Sequence, residues 1–374
     1  VKRLALHISI SCLVLAGSLL AACGSTPSPA IPDASPTQQH ERDGLSLIDA
    51  LGRTVEFDLA PRRIVVAGKS SLTIVDTLFL FPEARDRVVG IVAGRQNPGA
   101  FLGLVDPTFD QKATLEVEAG PEQILPLKPD VVVLRSFMAE SLGKALTEVE
   151  VPVVYVDLET PEQYFRDVAT LGQLLGNPAR AVEITAYYQS SLDYVNDQLD
   201  GLAPDDRPTV LLVQHSDRGG EVALNVPSAS WIQTTEATLA GGRPVWEEAA
   251  TGGGWTVVSF EQIAAWDPDK IFVIDYSGDS AKTVDQLRAD PQWQALRATQ
   301  EGEIFGFAAD IFSWDQPDPR WILGVTWLAG KIYPGRFASL DMEQEVIRFF
   351  EQMYGMDRAS IEASILPKLK GNVQ

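Results

Sequence analysis

Short runs of β-branched and aliphatic residues recur along the chain, each bounded by a turn. Ile64-Val65-Val66-Ala67 is followed by Gly68, and Val88-Val89-Gly90-Ile91-Val92 lies some twenty residues on. Val131-Val132-Val133-Leu134 follows Lys128-Pro129-Asp130, and Val153-Val154-Tyr155-Val156 follows Pro152. Val55 to Val66 reads as strand, turn, strand, broken at Pro61, and Ser70 to Phe81 reads as a crossover helix. Continuous apolar runs with helical patterns between them predict buried parallel strands in an α/β layer. The theme returns at Val210-Leu211-Leu212-Val213, Ile271-Phe272-Val273-Ile274 and Ile304-Phe305-Gly306-Phe307. Two helices are predicted near the end, over Leu323 to Tyr333 and Asp341 to Tyr354.

Between these halves the period changes. Thr160-Pro161-Glu162-Gln163 is a helix start, with Thr as N-cap and Pro in the first turn. Phe165, Val168, Leu171 and Leu175 recur at helical spacing, and Asn177-Pro178 restarts the helix after Gly176. Ile184, Tyr188, Leu192, Val195 and Leu199 carry the stripe to Gly201, so 161–201 reads as a kinked connecting helix. It divides an N-terminal α/β lobe over 45–160 from a C-terminal α/β lobe over 202–374. All eight tryptophans lie in the second lobe.

The first residues follow another pattern. Lys2 and Arg3 precede an apolar stretch from Leu4 to Leu20, which ends in Ala21-Ala22-Cys23-Gly24. A basic start, an apolar run and small residues before a cut describe a secretory signal. The segment resembles a bacterial lipoprotein signal over 1–22, in which Cys23 is the lipidated residue. Each buried acyl CH₂ contributes about 0.8 kcal/mol to anchoring. Residues 23–44 are rich in Pro, Ser, Thr, Gln and Asp and read as a disordered tether. The expected location is the cell envelope, lipid-anchored on the extracytoplasmic face of a bacterial membrane, and periplasmic if there is an outer membrane.

Composition narrows the chemistry. The 374 residues carry 30 Lys+Arg against 51 Asp+Glu, a net charge of −21. That is the opposite of a nucleic-acid footprint. Two cysteines, Cys12 and Cys23, cannot make a disulfide scaffold, and both fall in the leader or at its cut. A cysteine nucleophile, a Cys-ligated zinc and an iron–sulfur cluster are therefore not expected. Gly68-Lys69-Ser70 fails as a phosphate loop, because Arg63 stands where the first glycine belongs. No G-x-S-x-G or H-E-x-x-H occurs. Of three histidines, His7 and His40 lie in the leader and tether, which leaves His215. Neither a Ser–His–Asp triad nor a metal site of several imidazoles is expected, and no enzyme activity is.

Several phrases together carry a resemblance. They are Leu51-Gly52-Arg53-Thr54-Val55, Pro61-Arg62-Arg63-Ile64-Val65-Val66 and Glu122-Gln123-Ile124-Leu125 with Leu127-Lys128-Pro129-Asp130-Val131. The second half answers with Ser259-Phe260-Glu261-Gln262-Ile263 and Asp267-Pro268-Asp269-Lys270-Ile271, then Leu323-Gly324-Val325-Thr326-Trp327. The chain, over about 47–340, resembles the periplasmic-binding-protein family that serves siderophore, haem and cobalamin ABC importers. The resemblance implies two Rossmann-like α/β lobes joined by a single long helix, a ligand cleft between them and small hinge motion. It implies a monomer that delivers a metal chelate, foremost a ferric siderophore, to a permease and its ATPase subunits, with no cofactor of its own. It also implies one docking glutamate per lobe, carried over here to Glu140 and Glu236. Cobalamin, haem or molybdate/tungstate are the alternatives within the family. A secreted enzyme on a two-lobed scaffold, or an adhesive surface lipoprotein, are the alternatives outside it.

In open α/β sheets ligands bind beyond the carboxyl ends of strands. That rule selects Gly68–Ser71, Gly94–Gln96 and Arg135–Phe137 in the first lobe. In the second it selects Gln214–Arg218, Asp275–Ser277 and Ala308–Trp314. Lys69, Arg95, Arg135 and Arg218 are the cations there, and favour an anionic ligand. Arg95 and Arg135 are expected to contact it, so replacing either by alanine should weaken binding. His215 and Tyr276 are further ligand contacts, and Trp255 and Trp314 are placed to stack on planar groups. Trp321 and Trp327 are expected in the core.

Overall fold

A computed structural model describes residues 44–92, 98–218 and 221–374, excluding the side chain of Arg218. The leader, the tether and Cys23 lie outside the described residues, as does Arg95. The chain opens with an antiparallel hairpin of β1 (Leu45–Ile48) and β2 (Thr54–Phe57). Five parallel strands follow: β3 (Ile64–Val66), β4 (Val88–Val92), β5 (Ala113–Leu115), β6 (Val131–Arg135) and β7 (Val153–Val156). Their order across the sheet is β5-β4-β3-β6-β7, with every pairing parallel. The order reverses between β3 and β6, which is the switch point where α/β sheets open a crevice. Buried on both faces, these strands carry the continuous apolar runs seen in the sequence.

The second lobe holds β8 (Thr209–Arg218), β9 (Glu221–Val226), β10 (Arg243–Pro244), β11 (Thr256–Val258), β12 (Lys270–Ile274) and β13 (Ile304–Gly306). The path is β11-β9-β8-β12-β13, with β10 beside the start of β8. β8 pairs in parallel with β12 as far as Gln214, then antiparallel with β9 from Gln214 to Arg218. The expected loop over Gln214–Arg218 is therefore strand. Its backbone groups, which would otherwise need water, are taken up by β9.

The helical stretch 161–201 resolves into two helices, Pro161–Leu174 and the 22-residue Pro178–Leu199. Thr160 Oγ1 caps the first by accepting from the Gln163 N–H, and Asn177 Oδ1 caps the second by accepting from the Arg180 N–H. Gly176 takes the left-handed backbone between them, at φ 66°. The first helix packs on the β1 hairpin and the second on helices of the second lobe, so the longer one bridges the lobes. At about 1.5 Å per residue it is ~33 Å long. Trp321 and Trp327 lie in the buried helix Trp321–Ile332. Among the described residues no helix is long and apolar enough to cross a membrane.

Candidate functional site

The carboxyl ends of both sheets open onto one cleft of about 640 Å³. The first-lobe wall is the β3 loop and the first turn of helix Ser71–Leu78, running from Gly68 to Thr73, with Arg135 at the end of β6. Gly68 and Ser70 both take positive φ, 76° and 56°, which turns the chain sharply from strand into helix. Lys69 is exposed at this wall and makes no ion pair with any described residue. Arg135 is different: only 2% exposed, it donates to Glu159 through Nη2 and to Thr73 Oγ1 at 3.1 Å through Nη1, while Nε is unpartnered. Backbone N–H groups of a first helical turn, one ammonium and a braced guanidinium make this wall a hydrogen-bond donor.

The second-lobe wall is built from the β8 residues Gln214 to Asp217, from Tyr276 and Ser277 after β12, and from Gln316-Pro317. Three rings stand edge to face along it. Trp231 lies 5.6 Å from Trp255, and Trp255 6.2 Å from Tyr276, at 83° and 71°. The Tyr276 ring is open to the cleft while its hydroxyl is buried and donates to Asp315 Oδ2. Gln233 Nε2 donates to the same oxygen at 3.3 Å. Burial, then the Asp315 charge, raises the Tyr276 phenol well above its ordinary range, so it is held as a neutral donor to Asp315. His215 lines the cleft from β8, opposite Leu224 on β9. Among the described residues no cluster of His, Cys, Asp and Glu is arranged to hold a metal ion.

The sequence profile of the family described as "Periplasmic binding protein" matches residues 84–310. This chain belongs to the periplasmic binding protein family. As a member it is an extracytoplasmic solute-binding protein of an ABC importer. It is 26% identical over 330 residues to the molybdate-binding protein MolA of Haemophilus influenzae, covering 82% of this chain and 90% of that one. It is 25% identical over 313 residues to the iron-uptake system-binding protein of Bacillus subtilis, covering 81% and 91%. A solved periplasmic solute binding protein from Veillonella parvula superposes with a TM-score of 0.68 at 22% identity, over 86% of this chain and 97% of that one. That likeness establishes the two-lobed fold.

Within this periplasmic binding protein the cleft brings together Lys69, Arg135, His215, Trp255 and Tyr276 of the residues selected from sequence. Arg95 and the side chain of Arg218 lie outside what is described. Two expectations are corrected. Trp314 is fully buried, with its indole N–H donating to Asp310 Oδ2 at 2.9 Å, so it stacks on no ligand. Glu236 has no exposed surface and sits behind the cleft, so it cannot dock a permease. Its side chain reaches Gly324, whose missing Cβ leaves the space: an added Cβ would stand 2.9 Å from Glu236 Oε2. Glu140, by contrast, is exposed on the first lobe just past the β6 loop. The cations are also offset, since Glu159 and Asp217 line the same cleft. Trp231, Gln233, Glu159 and Asp315 were not legible in advance. Trp231 and Gln233 sit at and just inside the start of a helix, Ile232–Leu239, that only the tertiary fold aims at the cleft.

Proposed function

We propose that this protein captures a metal chelate, foremost a ferric siderophore, in the cleft and delivers it to its ABC permease without chemical change. The carrying observation is the cleft's size together with its two unlike walls. A volume near 640 Å³ suits a drug-sized ligand. A bare tetrahedral oxyanion fills the space of two or three waters, on the order of 60–90 Å³ at ~30 Å³ per water. The donor wall of Lys69, Arg135 and the helix start receives anionic chelating groups. The row Trp231–Trp255–Tyr276 offers edges and faces to planar ones. The iron-uptake relative supports this reading. The molybdate-binding relative supports a smaller anion at the same wall. The metal enters only as part of the ligand, and the protein needs no cofactor. Cys23 carries the lipid anchor, the protein works as a monomer, and Glu140 docks the permease on the first lobe.

The test is a thermal-shift and titration panel of ferric hydroxamates, ferric catecholates, ferric citrate, haemin, cobalamin and molybdate. A ligand at a hundred times its dissociation constant adds about 2.7 kcal/mol of stability. A shift with a ferric chelate, recovered intact by mass spectrometry, is expected. Lys69→Ala should then weaken binding about tenfold, ~1.4 kcal/mol. A shift with molybdate alone overturns the chelate assignment. Conversion of a bound compound overturns transport without chemistry.

A further inference from the structure

We infer that Asp76 and Arg320 form a buried pin across the lobes that sets the width of the ligand cleft, which makes both of them positioning residues for ligand capture. Asp76 stands three residues beyond Thr73, on the helix whose first turn is the first-lobe wall. Arg320 stands three residues beyond Pro317, which belongs to the second-lobe wall. The two meet in the interior, each three residues on from a wall residue: Arg320 Nη1 donates to Asp76 Oδ2, and both side chains have no exposed surface. Further bonds hold each of them in place. Arg320 Nε donates to both oxygens of Asp310 at 2.9 Å, and the Arg320 backbone N–H donates to Asp318 Oδ1 at 2.8 Å. Tyr354, on the helix Met342–Tyr354, donates from its hydroxyl to Asp76 Oδ1 at 2.7 Å. The guanidinium carbon lies 4.4 Å from the Phe101 ring centroid on the first-lobe side, and 5.1 and 5.3 Å from those of Phe312 and Phe350.

Such a pair is poorly explained as a source of stability, because apolar side chains of the same volume serve a buried interface as well or better. What it supplies is a fixed length and direction. Packed apolar surfaces slide, whereas separating Asp76 from Arg320 leaves a charge without its partner in a place water does not reach. The bridging helix Pro178–Leu199 and the pin then restrain the lobes at two separate points.

The inference rests on the cleft being the ligand site, so its test has a readout that needs no ligand. Spin labels are placed at Glu118→Cys and Lys282→Cys, one exposed residue in each lobe, in the full chain carrying Cys12→Ser and Cys23→Ser. Without ligand, the parent protein should give one narrow distance distribution. Asp76→Asn leaves the Arg320–Asp310 pair in place and should broaden that distribution while the protein stays folded. It should also weaken the ferric chelate found in the panel about tenfold, mainly through faster dissociation. Tyr354→Phe, which frees only the other oxygen of Asp76, should broaden it less and serves if Asp76→Asn does not fold. An unchanged distribution in the folded variants overturns the pin. A broadened distribution with unchanged ligand affinity overturns its positioning role. A panel without any hit overturns the ligand reading and the positioning role, and leaves the distance measurement to decide the pin.

Discussion

Glu236 shows how far one side chain's setting departs from its type. Both of its oxygens are buried without a hydrogen-bond partner. Burial, then the nearby charges of Asp315 and Asp318, raises its carboxyl well above the ordinary value of 4.5. A group raised in this way favours the folded state most below its unfolded pKa. That contribution is lost as pH rises through its folded value. Asp315 is raised as well, chiefly by burial. Glu236→Gln keeps the shape and mimics the neutral form, so it should raise the melting temperature at pH 7–8. The gain should be about 2–4 °C per kcal/mol for a chain this large or slightly less, and it should vanish toward pH 4. Melting curves of both proteins across that range check it. From the sequence alone Glu236 is one acid among 51 Asp+Glu. Nothing local marks it as buried, because Gly324, against which it packs, lies about ninety residues away.

At the scale of elements, the two helices between the lobes are set by local chemistry and by one close approach. Asn177 caps the longer helix and its Nδ2 also donates to Glu83 Oε1 at 2.8 Å. Asn177→Ala should cost about 1 kcal/mol or somewhat more, since a cap and a second bond go together. Gly172 is the point of closest contact, where an added Cβ would lie 2.7 Å from Ala181 Cβ. Gly172→Ala should therefore destabilise by ~1–3 kcal/mol through overpacking, which thermal or urea unfolding measures. Pro, Asn and Thr announce these helices in the sequence, as do the turns before β6 and β12. The short β9, β10 and β11 announce nothing comparable. β9 is partly exposed, and its strand character comes from pairing with β8 and β11.

For the whole molecule, the arrangement brings cleft-lining residues to the carboxyl ends of two sheets, where loops from distant parts of the chain face one another. In the proposed function Glu140, exposed on the first lobe, acts on the permease and not on the fold. Glu140→Lys should leave melting temperature and ligand affinity unchanged while lowering ligand-dependent ATPase stimulation in vesicles containing the permease by about tenfold. An unchanged stimulation would remove Glu140 from the interface. A second-lobe counterpart, in the same reading, belongs among the exposed carboxylates, because Glu236 is enclosed.

The sequence by itself determined the alternation of buried strands and helices, the caps of the helices over 161–201, the family phrases and five of the cleft-lining residues, Lys69, Arg135, His215, Trp255 and Tyr276. These depend on periodicity, caps and turn residues that act within a few positions. Only the tertiary structure decided that Trp231 joins Trp255 at the cleft while Trp314 is buried, that Arg135 is braced by Glu159, and that Asp76 meets Arg320 across 244 residues of chain. Those outcomes depend on burial and on partners brought together by packing, and burial is a property of the folded surface that no single stretch of residues carries.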